Sequence, residues 1–243
     1  MEVETATAGQ GSLERGMAGD YELELGALAR EAWGRVSGNK ALVWKAMLFY
    51  FAVVFLLSIV FGLLEGAPPD PQTVQPPSAM QQIGNVVITL VMLPMAAGLC
   101  FFGTAIALGH KPVPKSLFSW YDNTLKLVLT YLLMSVLVFV GFLLLVLPGI
   151  YLLVSYQLAM PLAVDKKLGP WQALEASRKV IGHNWFKVLG FDIGAIVVTT
   201  VSTVLLGIPF IWTVPALLIA YGILYRTLAG IESDTLQRTL ASG

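Results

Sequence analysis

The sequence predicts an all-α polytopic membrane protein, with six transmembrane helices as three hairpins and a cytoplasmic interfacial amphipathic helix before each hairpin. Three observations carry this. Apolar residues make up 56% of the 243 and charged residues 12%, about half the charged share of a soluble domain. The apolar residues come in blocks of roughly 20, the length a helix needs to cross a bilayer core. The charges between the blocks are one-sided: all fifteen Lys and Arg fall in connections that share one face of a six-span layout, or in the helix turns beside them.

Taken in order, the spans cover 42–64, 83–108, 125–147, 150–164, 188–207 and 210–225. The first three are long and uninterrupted. The fourth is short and follows the third across Pro148-Gly149, which reads as a tight turn at the membrane edge, with Gly in an unusual backbone conformation and Pro stopping the helix. A single bent segment is the competing reading. The fifth and sixth join through Gly207-Ile208-Pro209, with the same chemistry. Backbone groups in lipid must be satisfied internally, and no barrel-like alternation is present, so the spans are expected to be helices.

Orientation follows from the basic residues. The termini, residues 109–124 and residues 165–187 share a compartment that holds all of the positive charge, which places both termini in the cytoplasm. Trp33, Trp44, Trp120, Trp171 and Trp185 lie near the same face, where an amphipathic ring sits at headgroup level. Residues 1–20 are acidic and rich in small side chains, without the features of a secretory signal, and are expected to be a disordered cytoplasmic tail. Residues 21–230 form the transmembrane domain, and 231–243 a cytoplasmic C-terminal tail. The 65–82 connection holds five prolines and is expected to be extended and poorly ordered. Cys100, the only cysteine, can form no internal disulfide and is expected to pack.

Between the fourth and fifth spans, the stretch from Pro161 to Phe191 crowds seven charges between apolar neighbours. From Trp171, the positions Leu174, Ile181 and Trp185 recur at heptad-like spacing, and Gly169-Pro170 makes a helix start. Two placements are open for this amphipathic helix. It lies on the cytoplasmic leaflet, with Trp171, Arg178, Lys179 and Trp185 at the lipid interface, or it packs on the ends of the spans. The element has two counterparts. Leu25, Leu28, Ala29, Ala32, Trp33 and Val36 share their offsets with Leu117, Trp120, Tyr121, Thr124, Leu125 and Val128, each set ahead of a pair of spans, which makes a threefold repeat of helix plus hairpin.

The Pro148-Gly149 turn, Pro161 followed by Asp165, Gly169-Pro170, the Ala173-Leu174 and Ser177 pattern and the Gly182-His183-Asn184 exit resemble the most recognisable segment of a group of bacterial six-helix membrane proteins. The group includes the membrane domain attached to some glycerophosphoryl diester phosphodiesterases and the YciC-like inner-membrane proteins. About forty residues carry the match. The resemblance implies the six-helix fold and a bacterial inner-membrane location. It does not imply the phosphodiesterase activity, because the chain has no room for the soluble catalytic barrel.

No catalytic constellation is legible. His110 and His183 stand apart, and there is no metal-ligand spacing, GxSxG or phosphate-cradling loop. The chain is therefore expected to be no enzyme, to hold no cofactor or metal, and to bind no nucleic acid. Its expected partners are membrane lipids, with a membrane-protein partner or a second copy as further candidates.

The intramembrane polar residues are the better clue. Asp192, Thr199 and Thr203 share a face of the fifth span, opposite a Gly190-x-x-x-Gly194 motif expected to admit a neighbouring helix. Gln157 lies in the short fourth span, beside Ser155 and Tyr156. Asp192 and Arg226 stand equally far from a turn centred on Pro209 and are expected to form an ion pair across the last hairpin. The reading favoured by these residues is a non-enzymatic integral inner-membrane protein of unassigned role that organises lipid or partner proteins. The alternative is a small-solute transporter or channel along the polar face of the fifth span.

Overall fold

Long runs of Leu, Val, Ile, Phe and Ala close their backbone hydrogen bonds away from water by becoming helical, and this chain does so throughout. The computed structural model describes residues 11–65 and 76–240, and among these it contains helices and no strand. In chain order they are α1 (Leu13–Ala18), α2 (Leu25–Val36), α3 (Lys40–Glu65), α4 (Ala79–Ala107), a 3-10 helix (Pro114–Asn123), α5 (Thr124–Leu144), α6 (Val146–Ser155), α7 (Ala159–Asp165), α8 (Pro170–Gly182), α9 (Trp185–Val204), α10 (Phe210–Leu228) and α11 (Ser233–Leu240). Six segments are long and apolar enough to cross a membrane: α3, α4, the 3-10 helix with α5, α6 with α7, α9 and α10. That is the make-up of a multi-pass membrane protein.

The centre is the second half of α4. From Met92 to Ala107 it is buried on nearly every side, by α10, the 3-10 helix, α3 and α11. α4 and α10 make the most extensive pairing in the molecule, and they touch where neither has a side chain. A Cβ on Gly222 would fall on the backbone of Gly103, and one on Gly103 would fall on the Leu218 carbonyl. The rings of Phe101 and Trp120, 4.7 Å apart, and of Tyr225, 6.0 Å from Phe101, fill the space beside this crossing. The GxxxG of the fifth span is not such a contact. Gly190 meets only the Leu25 side chain at 3.5 Å, and Gly194 faces open space.

Several expectations are corrected. The turn after α5 is made by Leu145 alone, which is extended. Pro148 and Gly149 lie inside the first turn of α6, and Gly149 is absent from the residues with positive φ. Pro is tolerated there because the first helical N–H groups have no intrahelical partner. Gly149 is needed for room instead: a Cβ would strike the Phe142 ring. At the last hairpin, by contrast, Gly207 does take a left-handed conformation (φ 77°), as does Leu206 (57°).

The fourth span is broken at Tyr156–Leu158 into α6 and α7. Pro161 explains the break, since it cannot donate to the carbonyl of Gln157 and would clash with it. The Ser177 hydroxyl donates to the buried C-terminal end of α6 at the Ser155 carbonyl, 2.6 Å away.

The N-terminal tail expected over 1–20 is structured where it is described, the first ten residues lying outside the described set. α1 packs on α8 and on the end of α10, with the Gly11 N–H donating to the Arg226 carbonyl at 3.1 Å and the Tyr21 hydroxyl to the Val180 carbonyl at 2.6 Å. The C-terminal tail expected over 231–243 contains α11, whose Leu236 is buried and whose Arg238 guanidinium lies 4.8 Å from the centre of the Trp120 ring. Both ends had residues to bury that composition alone conceals. Most of the expected 65–82 connection lies outside the described residues. Its last part, from Ala79, belongs to α4, capped by Ser78, whose Oγ accepts the Gln81 N–H at 3.0 Å. The second amphipathic element is a 3-10 helix that runs straight into α5, and Leu125, expected on its apolar face, is exposed.

Gly222→Ala is expected to destabilise the protein by about 1–3 kcal/mol, as overpacking of a closed contact does, whereas Gly194→Ala leaves stability unchanged. Thermal unfolding in detergent compares the two directly.

Candidate functional site

Four sets of residues stand out, three polar and one apolar. The first closes the end of α4. A helix C-terminus leaves carbonyls without N–H partners and carries negative dipole charge. Here two guanidinium groups reach the last carbonyls: Arg226 Nη1 donates to the Ala107 carbonyl at 2.6 Å, and Arg35 Nη1 donates at 3.2 Å to the Ile106 carbonyl, which also accepts the Gly109 N–H at 2.9 Å. Glu31 neutralises both. Its carboxylate takes a bidentate pair from Arg226 at 2.9 and 3.1 Å and a further bond from Arg35 Nε at 3.0 Å. Burial alone would raise the Glu31 carboxyl, but the hydrogen bonds and charge of Arg226, joined by Arg35, outweigh it and hold the group below its usual value.

The second set is built around Asp165, whose side chain is inaccessible. Tyr225 donates its hydroxyl to Oδ2 at 2.6 Å, the Glu232 N–H donates to Oδ1 at 3.0 Å, and Lys166 Nζ stands 3.4 Å away while holding Glu232 at 2.7 Å. Lys167 pairs with Asp234 at 3.2 Å. The end of α7 is thereby tied to the end of α10 and the start of α11.

The third set overturns the expected Asp192–Arg226 pair. Arg226 belongs to Glu31. Asp192 is bonded by Gln157 Nε2 at 3.2 Å and by the Tyr221 hydroxyl at 3.1 Å, and no Lys or Arg among the described residues is paired with it. The cause is the turn. It spans the residues between Val204 and Phe210 and is centred about two residues before Pro209, so the position level with Asp192 across the hairpin falls at Tyr221–Gly222 and not at Arg226. Gln157, expected only as a polar residue of the fourth span, is thus brought to Asp192.

Thr199 and Thr203, on the same face of α9 as Asp192, make no hydrogen bond to it. Both are exposed and donate to their own helix, at Ala195 and Thr199. The polar contact further along this hairpin is Ser202 with Thr213, 3.2 Å apart.

The fourth set is a groove of about 290 Å³ between α2, α9 and α10. Its walls are Leu25, Ala29, Trp33, Gly194, Leu217 and their neighbours, and apart from Thr213 they are apolar. The small residues that do not serve helix contact on α9 serve to keep this groove open.

Of the residues expected at a lipid interface, Trp171 is 61% exposed. Arg178 and Lys179 both reach Glu175, at 2.8 and 3.6 Å, and Trp185 donates to the Tyr151 carbonyl at 3.3 Å. The apolar stripe of α8, with Leu174, Val180 and Ile181 fully buried, faces α1, α5, α6 and α7. The stripe is therefore used in packing on the span ends, which is the second of the two placements open from the sequence.

Sequence reasoning missed Glu31, Tyr221 and Tyr225. Glu31 carried a signal in its spacing of four from Arg35, and once the turn is centred on Gly207 Tyr221 lies one residue from the position level with Asp192. Nothing in the sequence pointed to Tyr225. Among the described residues, no three His, Cys, Asp or Glu come together as a metal site. Compared with protein-family models, with curated proteins and with solved structures, the chain matches none.

A double-mutant cycle of Glu31→Gln with Arg226→Gln is expected to show coupling of about 1 kcal/mol, whereas Asp192→Asn with Arg226→Gln is expected to be additive. The Glu31 contribution also has a pH signature. A carboxyl lowered by folding contributes stability that is fully present above its unfolded pKa, about 4.3, and is lost as pH falls through the lower folded value. The stability difference between the parent and Glu31→Gln should be constant from neutral pH down to about 5 and shrink below about 4.

Proposed function

We propose that this chain is a non-enzymatic integral membrane protein that organises lipid in a bacterial inner membrane, with its termini in the cytoplasm and three hairpins, α3–α4, α5–α6 and α9–α10, inserted from that side. The observation that carries the reading is the division of its surface. The hairpins present Leu, Ile, Val and Phe outward almost without interruption, from Leu48 to Leu64, from Leu129 to Leu153 and from Ile193 to Trp212. The ends from which they rise carry charges paired with one another in Glu31–Arg226, Lys166–Glu232, Lys167–Asp234 and Arg238–Asp122. Lys126 and Lys187 stand at the starts of two hairpins, within reach of anionic headgroups.

The apolar groove between α2, α9 and α10 fits a lipid acyl chain in size and chemistry. Passage of a polar solute is the weaker reading. Thr199 and Thr203 spend their hydroxyls on their own helix backbone, and Asp192 itself is engaged by Gln157 and Tyr221.

Extraction into polymer-bounded membrane discs, followed by lipid analysis, tests the proposal. Anionic phospholipid should be retained in excess over its share of the membrane, and Ala29→Trp, which fills the groove, should lower that excess. Ion and small-solute flux from proteoliposomes above that of empty liposomes would favour the transporter reading instead.

A further inference from the structure

The tips of the second and third hairpins are the least expected surface of the molecule. Leu143, Leu144, Leu145, Val146 and Leu147 follow one another at the first, all exposed, with Leu147 at 78%. Leu205, Leu206 and Ile208 do the same at the other, with Leu206 at 90%. A turn that emerges into water on the far side of a bilayer needs polar residues, because its carbonyl and N–H groups and its side chains would all be hydrated there. The connection after α3 has them: Glu65, Asp70, Gln72, Gln75 and five Pro. The other two turns have none.

Depth gives an independent measure. Trp44, in the second turn of α3, donates its indole N–H to the Ile211 carbonyl at 3.2 Å, and Lys40 Nζ lies 5.1 Å from the centre of the Trp212 ring. The first turn of α10 is thus beside the first turns of α3. Trp44 to Glu65 is about 32 Å of helix. An indole hydrogen bond reaches about 8 Å from its own Cα, and the stretch from Ile211 back to Leu206, most of it outside α10, adds no more than about 17 Å even if extended. The α9–α10 turn therefore stops at least about 7 Å short of the far end of α3.

The α5–α6 hairpin is similarly shallow. α8, with its Arg178–Glu175 pair and exposed Lys179, packs on both of its helices, and Trp185 next to it bonds Tyr151. From Tyr151 to the tip at Leu145 is about 9 Å, against a hydrocarbon core of about 30 Å.

We infer that α5–α6 and α9–α10 enter the leaflet on the side of the termini and turn back inside the hydrocarbon, so that only α3–α4 crosses the bilayer. The partner of the two apolar tips is the acyl-chain region of that single leaflet. Four helices added to one leaflet and two to the other make the protein a wedge, and asymmetric insertion of this kind favours curved membrane. The inference rests on the proposed membrane insertion and deepens it.

Single-cysteine variants in a Cys100→Ala background, in sealed proteoliposomes, test it with a membrane-impermeant maleimide applied from either side. Lys115→Cys and Ser78→Cys should label from opposite sides. Leu145→Cys and Leu206→Cys should label from neither side, and fully after detergent unfolding. A variant whose melting departs from the parent's is replaced by Leu144→Cys or Ile208→Cys. Labelling of either tip from the Ser78 side overturns the half-depth hairpins, and labelling from the Lys115 side overturns their burial in lipid. If Lys115 and Ser78 label from one side, the crossing by α3–α4 fails, and the proposed insertion fails with it. Reconstituted into phosphatidylethanolamine and phosphatidylglycerol membranes that offer tubes and flat sheets together, the protein should concentrate several-fold on the tubes. Equal density on both overturns the wedge.

Discussion

The backbone contact of Gly103 with Gly222 is the constraint on which the other interactions depend. It lets α10 lie against α4 at a distance that a Cβ on either residue would prevent, and from that position the last turn of α10 delivers two side chains to different neighbours. Arg226 swings over the C-terminus of α4 and takes Glu31 with it, which fixes α2. Tyr225 reaches Asp165, which fixes the end of α7 and the start of α11. Separate the two glycines by one methyl group and both ties lengthen together. The N-terminal segment depends on the same place, since Gly11 bonds the Arg226 carbonyl and Gly16 packs against Leu228.

The charges of this protein are arranged so that few are left alone in a poor solvent. Asp165 has no accessible side-chain surface, yet both of its oxygens are bonded. Removing a single partner from such a group costs more than the pair contributes, because the other is stranded. Glu31 serves two arginines and, through them, the last carbonyls of α4. A helix end is thus closed by charge from neighbouring helices. This explains why α2, with Glu31 and Arg35 on one side and Leu28, Ala32 and Val36 buried on another, docks where it does.

Much of the architecture was legible in the sequence, because hydrophobic blocks of span length carry a strong signal. All six apolar segments are found, most within a few residues of the expected bounds. What was not legible depends on register and crossing. Pro161 announces a break, but the sequence does not say that Tyr156–Leu158 absorbs it. The Gly207-Ile208-Pro209 turn was correctly placed, yet reading its centre at Pro209 instead of Gly207 was enough to assign Arg226 to Asp192 in place of Tyr221. Gly190 and Gly194 carried the familiar spacing, while Gly103 and Gly222, on different helices, carried none and make the real contact. Glu31 lies nearly two hundred residues from Arg226, and no local pattern links them.

The central claim is geometric: the tip of the last hairpin lies beside the start of α3 and far from its end. Pulsed electron-paramagnetic-resonance distances in lipid discs address it, with a spin label at Leu206 paired in turn with one at Ala41 and one at Glu65. The distance to Ala41 is predicted to be clearly the shorter of the two. A tip closer to Glu65 than to Ala41 would mean that α9 and α10 cross the bilayer with α3, and would contradict the account.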